Sequence, residues 1–360
     1  MNIPSFKLFF PEESKEEFRD CVKQILDSGR LTLGPFTEKF EKEWARYVGV
    51  KHAVAVSSGT SALYIIYRYL RDQGLSDITI PTNTFAATAS AAIQAGLKVR
   101  LRDMDEDAKG LAKVVVHIGG YPELIPENGL IIEDACHAHG SLLCGQTLGS
   151  FGYASAFSFY PTKLMACGEG GMLCTNDGSL AEFARCLRDQ GKRDFNSNEI
   201  VRLGTNARMT EISAAMGLCQ LRTLPKALER RREIARIYDQ KLGDLAYRTL
   251  GLPNYYKYVV LLPWVLANTS GPMDDASKLS RMRKKREEIK THLRLKKGIS
   301  CSGEVYWPPL HMQPAFEGFK RGSYPKAEEF CSRHLCLPIY PGLEDGEAVY
   351  VAEALLGILK

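Results

Sequence analysis

The sequence lacks any apolar run long enough to cross a bilayer. Its most apolar stretch, residues 259–267, is far shorter than the roughly 20 residues that a membrane helix needs, and Pro263 interrupts it. The first thirty residues lack the basic and then apolar order of a signal peptide. These features predict a protein with no membrane partner.

The ten cysteines include no CxxC pair, and no histidine cluster accompanies them. Such scattered cysteines form neither a disulfide framework nor the ligand set of a structural zinc site. The pattern predicts reduced thiols, a cytoplasmic location and no metal.

The sequence also lacks low-complexity tracts and a strong excess of one charge. Hydrophobic residues make up 45% and charged residues 25%, so 360 residues suffice for a large α/β unit with a smaller appendage, or for two mid-sized domains. A net charge of +5 is too small to indicate a nucleic-acid partner, although it suits small anionic substrates.

Short apolar runs alternate with helical patterns in the first half of the chain. We predict strands at residues 53–56, 77–81, 98–102, 113–118, 129–133 and 153–159, and helices at residues 13–28, 37–48, 60–70 and 86–95. This alternation is typical of an α/β protein with a mainly parallel sheet that helices cover on both faces.

The pattern changes after Glu211. We predict helices at residues 212–221, 227–242 and 278–295, the last as a basic amphipathic cover, and strands at residues 255–262 and 303–307. This predicts a smaller α+β C-terminal domain, with domains at residues 1–235 and 236–360.

Ligands of such sheets bind at the carboxyl ends of the strands, where four segments carry reactive residue types. In the first, residues 57–61 (SSGTS), small side chains let backbone N–H groups and the helix dipole attract an anion. The same residues are ordinary helix caps, so phosphate binding and simple capping both remain open.

Two further segments place Asp134, His137 and Lys163 after apolar strands. A carboxylate there can keep a heterocyclic nitrogen protonated, which is the interpretation we favour; the alternative is that Asp134 caps a helix and His137 is a surface histidine. Lys163 lies between Tyr160 and Met165 in apolar company, where a dehydrated amine acquires a lowered pKa and forms Schiff bases. The alternative is an ordinary surface lysine.

The fourth segment carries Phe85, which either fills the core or stacks on a flat cofactor. Together the four segments offer a phosphate cup, an acidic partner for a ring nitrogen, a stacking face and an amine. This set is what pyridoxal 5'-phosphate needs.

Five blocks of the sequence closely resemble the DegT/StrS sugar aminotransferases, which are fold-type I pyridoxal-phosphate enzymes. The blocks are SSGTSAL, PTNTFAATASA, IIEDACHAHG, SFYPTKLMACGEGGML and LGTNARMTEISAAMGLCQL, and further likeness extends from LTLGP at residues 31–35 to HMQPAF, YPKAEEF and CLPIYPGL. The resemblance implies transfer of an amino group from L-glutamate or glutamine to a keto-sugar nucleotide. It also implies a homodimer with shared active sites.

The resemblance assigns cofactor contacts to single residues. Lys163 looks like the catalytic lysine that links covalently to the cofactor, and Asp134 like the partner of the pyridine nitrogen. His137 matches a position beside the phenolic oxygen, and Phe85 one that stacks on the ring. Those that match phosphate contacts are Gly59, Thr60, Ser158 and Asn206, the last reaching across a dimer interface to the neighbouring subunit's phosphate.

Substrate contacts are open to two interpretations. Arg30, Lys192 and Arg193 are candidates for binding the anionic nucleotide, but they are equally typical of solvated surface charge. Tyr160 and His311 are candidates for contacts with the sugar, and His311 is also typical of a structural histidine.

The sequence departs from the family pattern in two places. Residues 103–134 are short, since a helical stretch before VVVHIGG is missing, and residues 251–298 are irregular, with LANTSGPMDD predicted as an exposed loop. Other functions remain open: a keto-cyclitol aminotransferase, a sugar dehydratase or a regulatory protein. Relatives that are dehydratases carry histidine in place of Lys163, and the lysine, Asp134 and the phosphate cup argue against a protein without turnover.

Overall fold

The computed structural model describes residues 2–104, 111–267, 275–302, 305, 307–319 and 322–359. Its helices are α1 (Glu12–Ser28), α2 (Pro35–Val48), α3 (Gly59–Asp72), α4 (Ala86–Gln94), α5 (Gly178–Arg188), α6 (Glu211–Leu242), α7 (Asp275–Lys297), α8 (Pro325–Arg333) and α9 (Asp345–Leu359). Its strands are β1 (His52–Val56), β2 (Asp77–Pro81), β3 (Lys98–Arg102), β4 (Ala112–Val116), β5 (Leu130–Asp134), β6 (Leu142–Leu143), β7 (Gln146–Thr147), β8 (Ala154–Ser158), β9 (Gly171–Thr175), β10 (Tyr258–Leu261) and β11 (His334–Leu337).

Seven strands form one mainly parallel sheet in the order β1-β9-β8-β5-β4-β2-β3. The pairs from β3 to β8 are parallel, whereas β9 runs antiparallel to both β1 and β8. Strands β8 and β9 are buried along their whole length, as expected where helices cover both faces. The predicted α/β class and parallel sheet are confirmed. Strand β9 and helix α5 were not predicted, because glycines obscure the apolar pattern before β9.

The prediction of two separate helices in the region of α6 is wrong. Residues 212–221 and 227–242 were predicted as two helices, but they form one helix of 32 residues with Pro225 inside it. Proline removes one backbone hydrogen bond and usually ends or bends a helix. Burial of Leu218 and Leu224 before the proline and of Ile234 and Tyr238 after it keeps the helix continuous.

Helix α6 also connects two hydrophobic cores. Leu218 and Leu228 pack with α2 and the sheet, whereas Ile234 and Tyr238 pack with β10, β11, α7 and α9. The packing partner of α6 therefore changes between residues 228 and 234. The division into domains at residues 1–235 and 236–360 stays a prediction.

The link between β3 and β4 is short, as the sequence indicated. Only residues 103–111 join these strands, and 105–110 lie outside the described residues. A parallel crossover usually takes a dozen residues or more. Asp103 instead accepts N–H groups of Lys326 (3.0 Å) and Ala327 (2.8 Å) at the start of α8, and Phe316 and Ala327 join the sheet's core.

Two other predicted elements fall partly outside the described residues, namely the strand at 303–307 and the loop at 266–275. The basic helix predicted at 278–295 is confirmed as α7. Its buried positions include Met282, Ile289 and Leu293, as its apolar spacing indicated.

Glu133 fixes the end of β5 from the face opposite Asp134. Its carboxylate accepts backbone N–H groups of Gly149 (2.7 Å), Phe151 (2.8 Å) and Gly152 (2.7 Å), and His117 Nε2 donates to it at 3.0 Å. Burial alone would raise the pKa of Glu133, but these donors outweigh it and hold the pKa below its ordinary value.

We therefore expect Glu133→Gln to lower the free energy of unfolding by about 3 kcal/mol at pH 7, because an amide cannot satisfy all four donors. A carboxyl group with a lowered folded-state pKa stabilises the protein above its unfolded-state value, near 4.5, and loses that effect as the pH falls through the folded-state pKa. The difference between wild type and variant in urea unfolding should shrink on acidification. Glu127→Gln at an exposed position is the control, and equal losses in both variants would contradict the assignment.

Candidate active site

A cavity of about 410 Å³, named the main cavity below, lies at the carboxyl ends of β1, β4, β5 and β8. This is the edge where ligands bind in such sheets. The residues that follow these strands line it, and a loop before β10 closes one side. The lining includes Ser58, Gly59, Thr60, Phe85, His117, Asp134, Cys136, His137, Ser158, Tyr160, Thr162, Lys163, Glu169, Tyr256 and Lys257.

Lys163 sits in a turn just after β8. Its N–H donates to the carbonyl of Tyr160 at 2.8 Å, and its Nζ lies 5.3 Å from the centre of the Tyr256 ring. Burial lowers the pKa of Lys163, while Cys136 and Asp134 act in the opposite direction. The tip of the side chain reaches the cavity although protein atoms surround its stem. At any given pH, a larger fraction of this amine is therefore neutral than of an ordinary lysine.

Asp134 is held in one orientation at the end of β5. Thr88 Oγ1 donates to Asp134 Oδ2 at 2.7 Å, and the N–H of Cys136 donates to Oδ1 at 3.2 Å. Since the Thr88 proton is used in this way, the Thr84 hydroxyl donates to Thr88 Oγ1 at 2.7 Å. The carboxylate is thus fixed before any ligand arrives.

The start of α3 forms a close-packed turn. Ser58 caps the helix by accepting the N–H of Ser61 at 3.0 Å. A Cβ on Gly59 would lie 2.7 Å from Cys136 Sγ and 2.9 Å from Ser158 Cβ, so only glycine fits. Helix α3 leaves its first N–H groups without helical partners beside the Thr60 and Ser158 hydroxyls. Capping and an anion-binding arrangement are thus present together.

His137 is a neutral imidazole in this cavity. Its Nδ1 accepts the N–H of Gly119 at 3.2 Å, so the ring proton is on Nε2. Burial, and then the charges of Lys163 and Lys257, hold its pKa well below the ordinary value. The ring lies 4.4 Å from the Tyr256 ring.

Phe85 ends the loop before α4 and lines the cavity with its side chain 60% exposed. This exposure argues against core filling and leaves a ring face for stacking. Tyr160 also lines the cavity and is 47% exposed.

The basic candidates for substrate binding lie elsewhere in the single chain. Arg30, Lys192 and Arg193 line a second cavity of about 300 Å³. Arg193 pairs with Glu199 at 2.6 Å, and the Arg30 guanidinium lies 4.9 Å from the centre of the Phe195 ring. The structure therefore does not bring these three residues to the main cavity of their own chain.

His311 and Asn206 also lie outside the residues that line the main cavity. His311 is buried, with Nδ1 2.8 Å from Thr82 Oγ1 and Nε2 3.1 Å from Glu328 Oε1, which is the arrangement of a structural histidine. Asn206 is exposed beside Asp189.

The sequence reasoning missed Tyr256 and Lys257, which reach the cavity from the loop before β10. The sequence segment that contains them, NYYKY at residues 254–258, resembles no ligand-binding motif. The concentration of tyrosines just before a strand was the available signal.

Across the described ranges, no cluster of three or more His, Cys, Asp or Glu side chains is arranged to hold a metal ion. No helix in those ranges has the length and apolarity to cross a membrane.

Comparisons with known proteins agree on one family. The model of the DegT/DnrJ/EryC1/StrS aminotransferase family matches residues 12–117 and 123–356. The dTDP-3-amino-3,4,6-trideoxy-alpha-D-glucose transaminase of Streptomyces venezuelae is 35% identical, over 96% of this chain and 92% of that protein. The spore coat polysaccharide biosynthesis protein SpsC of Bacillus subtilis is 33% identical, over 97% of this chain and 96% of that protein.

A solved structure shares the fold over the whole length. The crystal structure of S. venezuelae DesV, in complex with a ketimine intermediate, superposes with a TM-score of 0.83 at 30% identity, and covers 100% of this chain and 99% of that one.

The lowered pKa of Lys163 predicts unusual reactivity. In protein freed of small ligands, we expect trinitrobenzenesulfonate at pH 8 to modify Lys163 faster than the exposed Lys98, because the reagent attacks only the neutral amine. Peptide mapping by mass spectrometry after short exposures measures both rates. Slower labelling of Lys163 than of Lys98 would contradict the inferred dehydration of this amine.

Proposed function

The chain belongs to the DegT/DnrJ/EryC1/StrS aminotransferase family, and from this premise we propose that it transfers the amino group of L-glutamate or L-glutamine to a nucleotide-linked keto-sugar. The reaction belongs to amino-sugar biosynthesis. One observation carries the proposal: a lysine amine whose pKa burial lowers and a carboxylate fixed by hydrogen bonds share a cavity with a helix N-terminus where only glycine fits.

The residues of the cavity fit pyridoxal 5'-phosphate, the cofactor of this family. Gly59 packs so closely against Cys136 and Ser158 that a Cβ would collide with both. At this point helix α3 begins, and its first backbone N–H groups can bind a phosphate. Thr60 and Ser158 add hydroxyl groups to the same place. Phe85 offers a ring face for stacking. When bound, the cofactor supplies an aldehyde that forms an imine and a ring that accepts an electron pair from the substrate's Cα.

Asp134 and Lys163 take different parts in the chemistry. The Asp134 carboxylate, fixed by Thr88 and Cys136, holds a proton on the pyridine nitrogen. Lys163 Nζ would hold the cofactor covalently, and once the amino donor has replaced it, the neutral amine would accept the proton from the donor's Cα. The low hydration of this amine lowers its pKa and so favours the neutral form, which is the form that acts as a base. His137 donates its Nε2 proton toward the cofactor's phenolic oxygen.

The acceptor is inferred from the relatives. The Streptomyces venezuelae relative is named a transaminase of a dTDP-linked sugar, and a relative 30% identical, from Escherichia coli O157:H7, is named GDP-perosamine synthase. Both names support a nucleotide-linked keto-sugar. A keto-cyclitol acceptor is the competing outcome in substrate trials.

We further propose a homodimer in which each site borrows residues from its partner. Asn206 is exposed, and nearby Ile200, Leu203 and Ile212 expose 54%, 83% and 40% of their side chains. Such a patch is typical of an interface. It supports contact of Asn206 with the neighbouring subunit's phosphate, and of the basic group Arg30, Lys192 and Arg193 with its nucleotide. The ten free thiols support a cytoplasmic location.

Lys163→Ala tests the proposed role of the lysine. We expect turnover to fall below detection while the circular dichroism spectrum and the midpoint of unfolding stay near those of the wild type, because the side chain ends in a cavity. Addition of L-glutamate should change the cofactor absorbance of the wild type and leave that of the variant unchanged. Full activity in Lys163→Ala would refute the assignment.

Subunit complementation tests the shared site. Lys163→Ala and Asn206→Asp should each be inactive as pure proteins. A 1:1 mixture, unfolded and refolded together, should recover about a quarter of the wild-type activity, since half of the dimers are mixed and each mixed dimer has one intact site. Mixing the two proteins without subunit exchange is the control. No recovery in mixed dimers would place both residues in the same chain's site.

A further inference from the structure

Lys257 is the second lysine of the main cavity. Its Nζ lies 4.9 Å from the centre of the Tyr256 ring, and Lys163 Nζ lies 5.3 Å from the same centre. Both lysines line one cavity. The charge of Lys257 adds to burial in lowering the pKa of Lys163, and an incoming anion would stabilise the charge on Lys257.

Gly119 connects the backbone of Lys257 to the side chain of His137 through two hydrogen bonds. The N–H of Lys257 donates to the carbonyl of Gly119 at 3.0 Å, and the N–H of Gly119 donates to His137 Nδ1 at 3.2 Å. Gly119 has a φ of +64°, where glycine is favoured. The lysine stem therefore starts from a fixed point beside the imidazole.

Asn254 makes the loop before β10 rigid. Its Nδ2 donates to the carbonyls of His137 (2.7 Å) and His139 (3.1 Å), and its Oδ1 accepts the N–H of Tyr256 at 2.8 Å. A Cβ on Gly120 would lie 1.8 Å from Asn254 Oδ1, so glycine is needed for this contact. Tyr256 and Lys257 thus reach the cavity from a preorganised segment.

We propose that the ammonium group of Lys257 binds the α-carboxylate of the amino donor. This inference rests on the proposed function and names the residue that recognises its donor. The α-carboxylate is bonded to the same carbon as the reacting amino group, so it must lie near Lys163 Nζ, in the part of the cavity that Lys257 lines. The diphosphate of a nucleotide sugar is separated from the reacting carbon by the sugar ring and lies farther away.

The electrostatics of the cavity support this assignment. The charged and titratable groups that line it are Lys163, Lys257, Asp134, Glu169, Cys136, Tyr160, Tyr256, His117 and His137. Asp134 is already bonded to Thr88 and to the backbone of Cys136, while burial and the positive charges keep His137 neutral. When the donor arrives, Lys163 would still be held in its covalent link to the cofactor, which leaves Lys257 as the ammonium group that these lining residues offer to a carboxylate. A carboxylate and an ammonium then form a charge-assisted hydrogen bond.

The test separates the α-carboxylate from the rest of the donor. L-Glutamate is compared with 4-aminobutyrate, which keeps the amine and the distal carboxylate but lacks the α-carboxylate. Holoenzymes of wild type, Lys257→Met and Lys257→Arg are mixed with each amine without acceptor, and dissociation constants are read from the cofactor absorbance. Lys98→Met, an exposed change at the start of β3, is the matched control.

We expect Lys257→Met to raise the dissociation constant of L-glutamate about 10- to 100-fold, the loss that follows removal of a charged hydrogen bond. The constant for 4-aminobutyrate should stay unchanged, and Lys257→Arg should restore part of the affinity for L-glutamate. Binding of dTDP, measured by calorimetry, should not change.

Three results would overturn the proposal: unchanged affinity for L-glutamate, equal weakening of both amines, or a loss confined to dTDP, which would assign Lys257 to the diphosphate. A wild-type enzyme that reacts with neither L-glutamate nor L-glutamine would overturn the proposed function itself, and the inference with it.

Discussion

The proposed active site depends on a primary amine that is kept poorly hydrated, in a cavity shared with a carboxylate whose orientation hydrogen bonds fix. Burial lowers the pKa of Lys163, and hydrogen bonds from Thr88 and Cys136 fix Asp134. An exposed lysine would be protonated and unable to act as a nucleophile or base. A carboxylate free to rotate would give up part of its interaction with a ring nitrogen to solvent. The remaining features of the fold serve to maintain these two conditions.

The parallel sheet achieves this by bringing distant chain segments to one edge. Ser58 follows β1, Asp134 ends β5, and Ser158 and Lys163 lie at and just after the end of β8. All four line the same cavity. Glu133, on the opposite face of β5, anchors the turn at residues 149–152 and so holds the strand that carries Asp134. Backbone contacts outside the cavity therefore help to hold Asp134 in position.

Much of the site could be predicted because its residues follow strands whose apolar runs are legible in the sequence. Lys163, Asp134, His137 and Phe85 belong to this group, and the structure brings them together. Tyr256 and Lys257 could not be found in this way, because the loop that carries them meets the sheet only through the packing of the C-terminal half, which Asn254 secures. The pattern of neighbouring residues in the sequence does not indicate a contact between such distant segments.

The fold shows the same limit. Helix α6 continues through Pro225 because buried residues on both sides outweigh the lost hydrogen bond, and β9 is hidden by its flanking glycines. The short link after β3 was visible in the sequence, but not that Asp103 would cap α8. For α6 and for Asp103, the deciding interactions join residues far apart in the chain, whereas β9 was obscured by glycines next to it.

The central claim is that one amine, that of Lys163, carries the cofactor. The most direct measurement is reduction of the purified protein with borohydride, followed by digestion and mass spectrometry of the peptides. The account predicts that the pyridoxyl group is found on Lys163 alone. A pyridoxyl group on Lys257 or any other lysine, or on none, would contradict it.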